Sequence, residues 1–193
     1  MKTQQTPRYD AISMAFHWIT AIAVLIAFVL GPGGFGRLVH QGIDPGTRLD
    51  IVWHETLGML VFALTALRLL WTAVRPAVPQ LAMSDGLRRL SKLAHLALWA
   101  LLLLTPITAL LTLGAESAPL TLLGGLRVQE LSRFAPGFVL PLTDWGDVHS
   151  LLGDAILWLA GMHAAAAIYH HVRIRDGVLA TMVPGIQAPP ARP

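Results

Sequence analysis

Cysteine is missing from all 193 residues. That rules out disulfides, iron–sulfur clusters and thiolate metal sites, and leaves histidine as the main side chain for a transition metal. Charge is scarce as well. Asp, Glu, Lys and Arg supply 13% of the chain and hydrophobic residues 54%, where a soluble domain carries about 25% charged residues. A surface so poor in charge is not kept in water, and with a mean hydropathy of +0.60 the chain is read as a bilayer protein. The positive surplus is only +3 and is assigned to cytoplasmic loops rather than to a nucleic-acid surface. A cleavable leader is not visible either: the first apolar run continues to Gly31 and holds His17-Trp18, so it reads as a retained helix. Repeats, low-complexity tracts and a second domain are likewise lacking, and one membrane domain over residues 1–193 is expected.

What is there is organised by four apolar segments, at about residues 11–30, 49–74, 90–114 and 147–172, each close to the ~20 residues that cross a bilayer. The expected fold is all-α, an integral membrane four-helix bundle. Gly31-Pro32-Gly33-Gly34 stops the first segment and Arg75-Pro76 the second, while Pro106 kinks the third in a way a bundle tolerates. Lys2, Arg8, Arg75, Arg88, Arg89, Lys92, Arg173, Arg175 and Arg192 collect on one side, and Arg37, Arg48, Arg127 and Arg133 on the other. Nine against four puts both termini in the cytoplasm by the positive-inside rule. The long connection 115–146 is expected to form a short amphipathic helix on the outer surface, and the tail 185–193 to be disordered.

The last segment carries His149 and His163, fourteen residues apart. On a helix that interval sets both on nearly one face, about 21 Å apart along the axis. Alternating helix direction gives the other histidines their depths. His17 lies at the inner level with His163, and His54, near the start of the second segment, shares the outer level with His149. Two neutral imidazoles at one depth, with no thiolate or carboxylate, suit the axial positions of a b-type haem, an apolar disc that a four-helix bundle encloses. A zinc site would want three or four donors at one depth. For any single histidine the competing explanation is a bond to a backbone carbonyl, which does not account for two level pairs.

Arg68 follows His54 by fourteen residues and so falls on the same face at the inner level. A lone intramembrane arginine is costly unless an anion receives it, and a haem propionate is such an anion; the alternative is snorkelling to the cytoplasmic interface. His95 has no level partner left and reads equally as a polar bundle contact or as part of a quinone pocket. His40 reads as a solvated loop residue. His170 and His171 read as interface residues first and as a propionate cap or proton relay to a quinone second. Trp18, Trp53, Trp71, Trp145 and Trp158 suggest an aromatic belt. Glu55 and Asp154 are the acids nearest the outer level, and Gly58, Gly153 and Gly161 leave room for a macrocycle or a neighbouring helix.

The motifs RYDAISMAFHW, WHETLG at His54, LRLLW around Arg68, HLALWALLLLTPITALL, DVHSLLG at His149 and GMHAAAAIYHHVRIRDG run from Arg8 to about Met182. Through them the chain resembles the bacterial cytochrome b561 family of di-haem membrane cytochromes. The resemblance implies two b haems ligated by His17, His54, His149 and His163, and a place in the bacterial inner membrane. Trp99 stands where the family usually has tyrosine, Ala109 where glycine follows the proline, and the outer loop lacks the family's aromatic and proline pattern. These departures bear on the donor and acceptor sites and leave the haems untouched.

Similar proteins oxidise superoxide at the outer face and reduce ubiquinone, and others serve a partner as haem subunits. The expected function is electron transfer across the membrane between a periplasmic donor, with superoxide as candidate, and the ubiquinone pool. In that case the chain is a superoxide:ubiquinone oxidoreductase; otherwise it is an electron carrier. Arg37, Arg48, Arg127 and Arg133 would draw an anion to the outer face despite neighbouring acids. The alternative is a haem b subunit fed by a hydrogenase, a formate dehydrogenase or a c-type cytochrome docked near 115–146. A haem-free scaffold or transporter has no reason to align four histidines in two layers.

Overall fold

A computed structural model describes residues 8–31, 35–75, 83–128 and 144–187. Along it come α1 (Ala11–Leu30), the short α2 (Phe35–His40), a 3-10 turn (Pro45–Thr47), α3 (Leu49–Val74) and α4 (Asp85–Ala115). A hairpin of β1 (Leu120–Leu122) and β2 (Leu126–Val128) follows, then α5 (Trp145–Tyr169), a π-helical turn (His170–Ile174) and a last 3-10 turn (Leu179–Thr181). The helices α1, α3 and α4, and α5 with its π-helical extension, are long and apolar enough to cross a membrane.

Local chemistry sets the ends. The Asp10 carboxylate accepts the Ser13 N–H at 2.8 Å and starts α1. Arg75 is extended at φ −73°, ψ 153°, as the residue before a proline must be, and α3 ends there. Ser84 caps α4, which therefore begins at Asp85 rather than near residue 90. Arg88, Arg89 and Lys92 ride on its first turns, since long cationic side chains reach back to the interface. The helix carries through Pro106. Asp144 accepts from the N–H groups of Gly146 and Asp147 to start α5.

The bundle is built from two helix pairs: α1 packs along α3 and α4 along α5. The pairs meet mainly where α3 touches α4, and α1 meets α5 at few positions. The buried residues of α1 are Ser13, Thr20, Ala23 and Ala27, a small-residue stripe that faces Leu57 and Val61 of α3. Lipid tails are as apolar as leucine, so the association rests on close packing, which such residues permit. Large apolar side chains point the other way: Val29, Leu70, Val74 and Trp158 are 74, 66, 76 and 75% exposed, a surface for acyl chains. Trp158 lies in the middle of α5 and so falls outside the interfacial belt expected from the sequence.

The hairpin caps one end of the bundle. Leu120 pairs with Val128 and Leu122 with Leu126, and the turn uses Gly124 and Gly125 at φ 85° and 77°, which glycine adopts at little cost. Residues 120–128 thus form no part of the short amphipathic helix expected in this connection, because two consecutive glycines reverse the chain there. Residues 129–143 of that connection, like Lys2, Pro32-Gly33-Gly34, Arg133, Arg192 and the tail beyond 187, lie outside the described residues. Leu113, Ala118 and Leu120 form a buried cluster under the cap. Arg127 closes it with two bonds to the Asp44 carboxylate, at 2.9 and 2.8 Å. At the other end the two ends of the chain are tied together: Tyr9 N–H donates to Thr181 O at 3.1 Å, Arg8 to Ile186 O at 2.6 Å and the Trp18 indole to Met182 O at 2.9 Å.

Candidate cofactor site

Four half-buried imidazoles project into the bundle at two levels. Toward the hairpin end, His54 of α3 faces His149 of α5 with ring centroids 5.9 Å apart and planes at 83°. Toward the terminal end, His17 of α1 faces His163 of α5 at 6.4 Å and 70°. Two imidazoles on either side of one metal ion have centroids about 6 Å apart, given metal–nitrogen lengths of ~2.0 Å. Among the described residues no three His, Cys, Asp or Glu side chains gather as a metal-binding group. Neither level thus gathers three donors on one point among the described residues, and a facing pair of neutral imidazoles fits a metal carried in a macrocycle, as in haem, and not a bare zinc ion.

The hairpin-level pair is held from behind. His54 Nδ1 lies 2.7 Å from Ala27 O and His149 Nδ1 lies 2.9 Å from Thr105 O. A carbonyl can only accept, so each Nδ1 carries the proton and each Nε2 keeps its lone pair free for a metal. The first acceptor follows from the local fold. Ala27 O belongs to the last turn of α1, where Gly31 N–H turns instead to Phe28 O at 3.2 Å, so it would otherwise be an orphan carbonyl. Thr105 O is a helix carbonyl of α4 that also accepts from the Thr108 hydroxyl at 2.8 Å. Gly31 makes the first contact possible: a Cβ there would sit 3.3 Å from His54 Cε1 and 3.4 Å from its Nδ1. In the sequence Gly31 stands as a helix breaker; its closeness to a residue 23 positions later leaves no local signal.

Gly58 and Gly153 lie one helical turn beyond His54 and His149. Added Cβ atoms would meet nothing within 4 Å at either position, nor at Gly161. Among the described residues the glycines thus border open space and no helix contact.

The terminal-level pair has different surroundings. Neither His17 nor His163 has a ring-nitrogen hydrogen bond among the described residues. Instead a third imidazole, His95 of α4, lies 5.2 Å from His163, with Ser91 Oγ 3.4 Å from its Nδ1. From the sequence His95 is expected to have no level partner; the fold sets it beside His163. Arg68 stacks over the Trp99 ring at 5.0 Å, within electrostatic range of His17, His95 and His163. No carboxylate among the described residues pairs with Arg68.

The remaining candidates are accounted for more simply. Glu55 accepts the Thr121 N–H at 2.6 Å and Thr56 Oγ1 accepts the Leu123 N–H at 3.0 Å, so both pin the hairpin to α3. His40 is exposed, 3.7 Å from the Glu116 carboxylate. His170 bonds to Asp176, and His171 Nδ1 is buried without a hydrogen-bond partner among the described residues. Asp154 is exposed. Of the four outer arginines, Arg48 is paired with Asp50 and Arg127 with Asp44, leaving less free positive charge at that end than the sequence suggests.

Comparison with known proteins agrees with the motifs. A family model described as prokaryotic cytochrome b561 matches residues 8–185. The chain is 30% identical to "Cytochrome b561 homolog 2" of Escherichia coli (strain K12) over 186 residues, covering 95% of each. It is 24% identical to "Probable superoxide oxidase CybB" of Yersinia pestis over 187 residues, covering 92% of this chain and 96% of that one.

Proposed function

We propose, for a chain that belongs to the prokaryotic cytochrome b561 family and so to the membrane proteins that transfer electrons on haem b, that it carries two b haems, one at each histidine level. His54 and His149 would hold one iron, and His17 and His163 the other. The observation that carries the reading is the pair of imidazole separations, 5.9 and 6.4 Å, each matched to one metal between two rings. Bound haem b supplies a one-electron couple at each level.

The chain's own residues do the rest. His54 and His149 keep Nε2 free because their Nδ1 protons are given to carbonyls. Arg68, stacked on Trp99, is the group to receive a propionate, since a guanidinium buried in a membrane helix needs an anion. Helix α5 contributes one ligand to each level, which makes it the path across the bilayer. The arginine and lysine asymmetry supports an inner-membrane orientation with the terminal end in the cytoplasm and the hairpin end outside.

For the substrates we propose superoxide outside, a reading supported by the name of the Yersinia pestis relative, and ubiquinone as acceptor. Two superoxide ions would each lose one electron and leave as dioxygen, and one quinone would take both electrons and two protons to become the quinol. The test uses the purified full chain. Haem extraction should give two b haems per polypeptide, and stopped-flow mixing with superoxide and a soluble ubiquinone should yield quinol faster than the uncatalysed reaction. A haem-free chain removes the cofactor reading; a two-haem chain that superoxide reduces no faster than background removes the substrate reading.

A further inference from the structure

Resting on that two-haem reading, we infer that the two sites are built with ordered potentials: the hairpin-level site is the low-potential one and the terminal-level site the high-potential one. Two differences in surroundings act in the same direction. At the hairpin level both imidazoles give their Nδ1 protons to backbone carbonyls, Ala27 O at 2.7 Å and Thr105 O at 2.9 Å. Such bonds raise the electron-donating power of the ring and stabilise the ferric state, which lowers the potential. Glu55, bonded next to His54 in the chain, adds no positive charge there, and the nearby Arg127 is paired with Asp44.

At the terminal level neither His17 nor His163 has such a bond among the described residues. The group within electrostatic range is the Arg68 guanidinium, half-buried and stacked on Trp99. In a medium of low dielectric a cation that offsets a propionate's negative charge removes a stabiliser of ferric iron, which raises the potential. Arg75, one further turn pair along α3, stacks on Tyr9 at 4.8 Å and adds to the positive field at this end. The fold therefore slopes electron flow from the hairpin end toward the terminal end before any substrate is considered. Arg68, and Gly31 by giving His54 its room, are positioning residues for this slope.

The experiment is an optical redox titration of the full chain in lipid nanodiscs, with haem content measured first on the same sample. Two waves are expected, split by at least a tenfold ratio in equilibrium constant, which is 59 mV for a one-electron couple. Arg68→Gln should shift the upper wave downward and leave the lower one in place; if that variant loses a haem instead, the wave that remains should be the lower. Gly31→Ala, whose new Cβ would press on His54, should shift the lower wave upward and leave the upper one unmoved. A single unsplit wave, an Arg68→Gln effect on the lower wave, or a surviving upper wave overturns the ordering. A stoichiometry other than two haems sinks the two-site reading and the ordering with it, whereas two haems in reversed order sink the ordering alone.

Discussion

His54 gives its Nδ1 proton to Ala27 O at 2.7 Å, joining the second turn of α3 to the last turn of α1. One bond thereby does two jobs. It satisfies a helix-end carbonyl that would otherwise be orphaned in an apolar medium, and it selects the imidazole tautomer whose free nitrogen faces His149.

Single ligand substitutions should separate the two levels. His54→Ala and His163→Ala are each expected to lower haem content from two to one per chain, and the double variant to leave none. Pyridine haemochromogen assays give the counts, and the redox wave missing from each single variant identifies its site. If both single variants lose the same wave, the pairing is wrong.

Gly58 and Gly153 offer a test of what fills the open space. Substituting leucine at either position meets no chain atom near the Cβ and removes a residue that costs a helix about 1 kcal/mol relative to good formers. Thermal stability of the haem-free chain should hold or rise, while haem content should fall. Unchanged haem loading in both variants would show that the space beside these glycines is not the macrocycle's.

Removing the Glu55 carboxyl should loosen the cap. Glu55→Ala leaves the N–H of buried Thr121 without its partner at 2.6 Å, at a cost of about 1–3 kcal/mol. Amide hydrogen exchange at residues 120–128 should rise by one to two orders of magnitude, with exchange in α4 and α5 little altered. Protection equal to wild type would mean that the hairpin is held by its apolar contacts instead.

Acid should weaken the same cap through Asp44. Its carboxyl is held below the usual range, first by the Arg127 bonds and then by the Gly46 N–H, against a small opposing effect of burial. A carboxyl whose folded pKa is depressed stabilises the fold above its unfolded value, near 3.9, and loses that contribution as pH falls through the folded value. Both side chains are about 40% exposed, so the pair is worth no more than ~1 kcal/mol. Hydrogen exchange in the hairpin should therefore increase modestly below about pH 4, and Asp44→Asn should flatten that dependence.

Much of this was legible in one dimension. A bilayer sorts residues along its normal, so run lengths, breakers such as Arg75-Pro76 and the arithmetic of helical rise give each histidine a depth. That was enough to set His17 level with His163 and His54 level with His149. The family motifs, from His17-Trp18 to GMHAAAAIYHH, lie within the same segments and are equally readable.

Rotation and lateral order were not. Which faces meet depends on the small-residue stripe Ser13, Thr20, Ala23 and Ala27 finding α3, a matter of packing that depth leaves free. That packing brought His95 against His163 and Arg68 over Trp99. Contacts across 66 positions, Glu55 with Thr121, and 83 positions, Asp44 with Arg127, built a hairpin cap over 120–128 that local pattern did not announce. The sequence alone determined what crosses the membrane and at what depth its histidines lie, because hydrophobic burial acts along the chain and the bilayer normal. The tertiary structure alone decided what stands behind each histidine, because a hydrogen bond or a cation acts over a few ångströms between residues the chain keeps far apart.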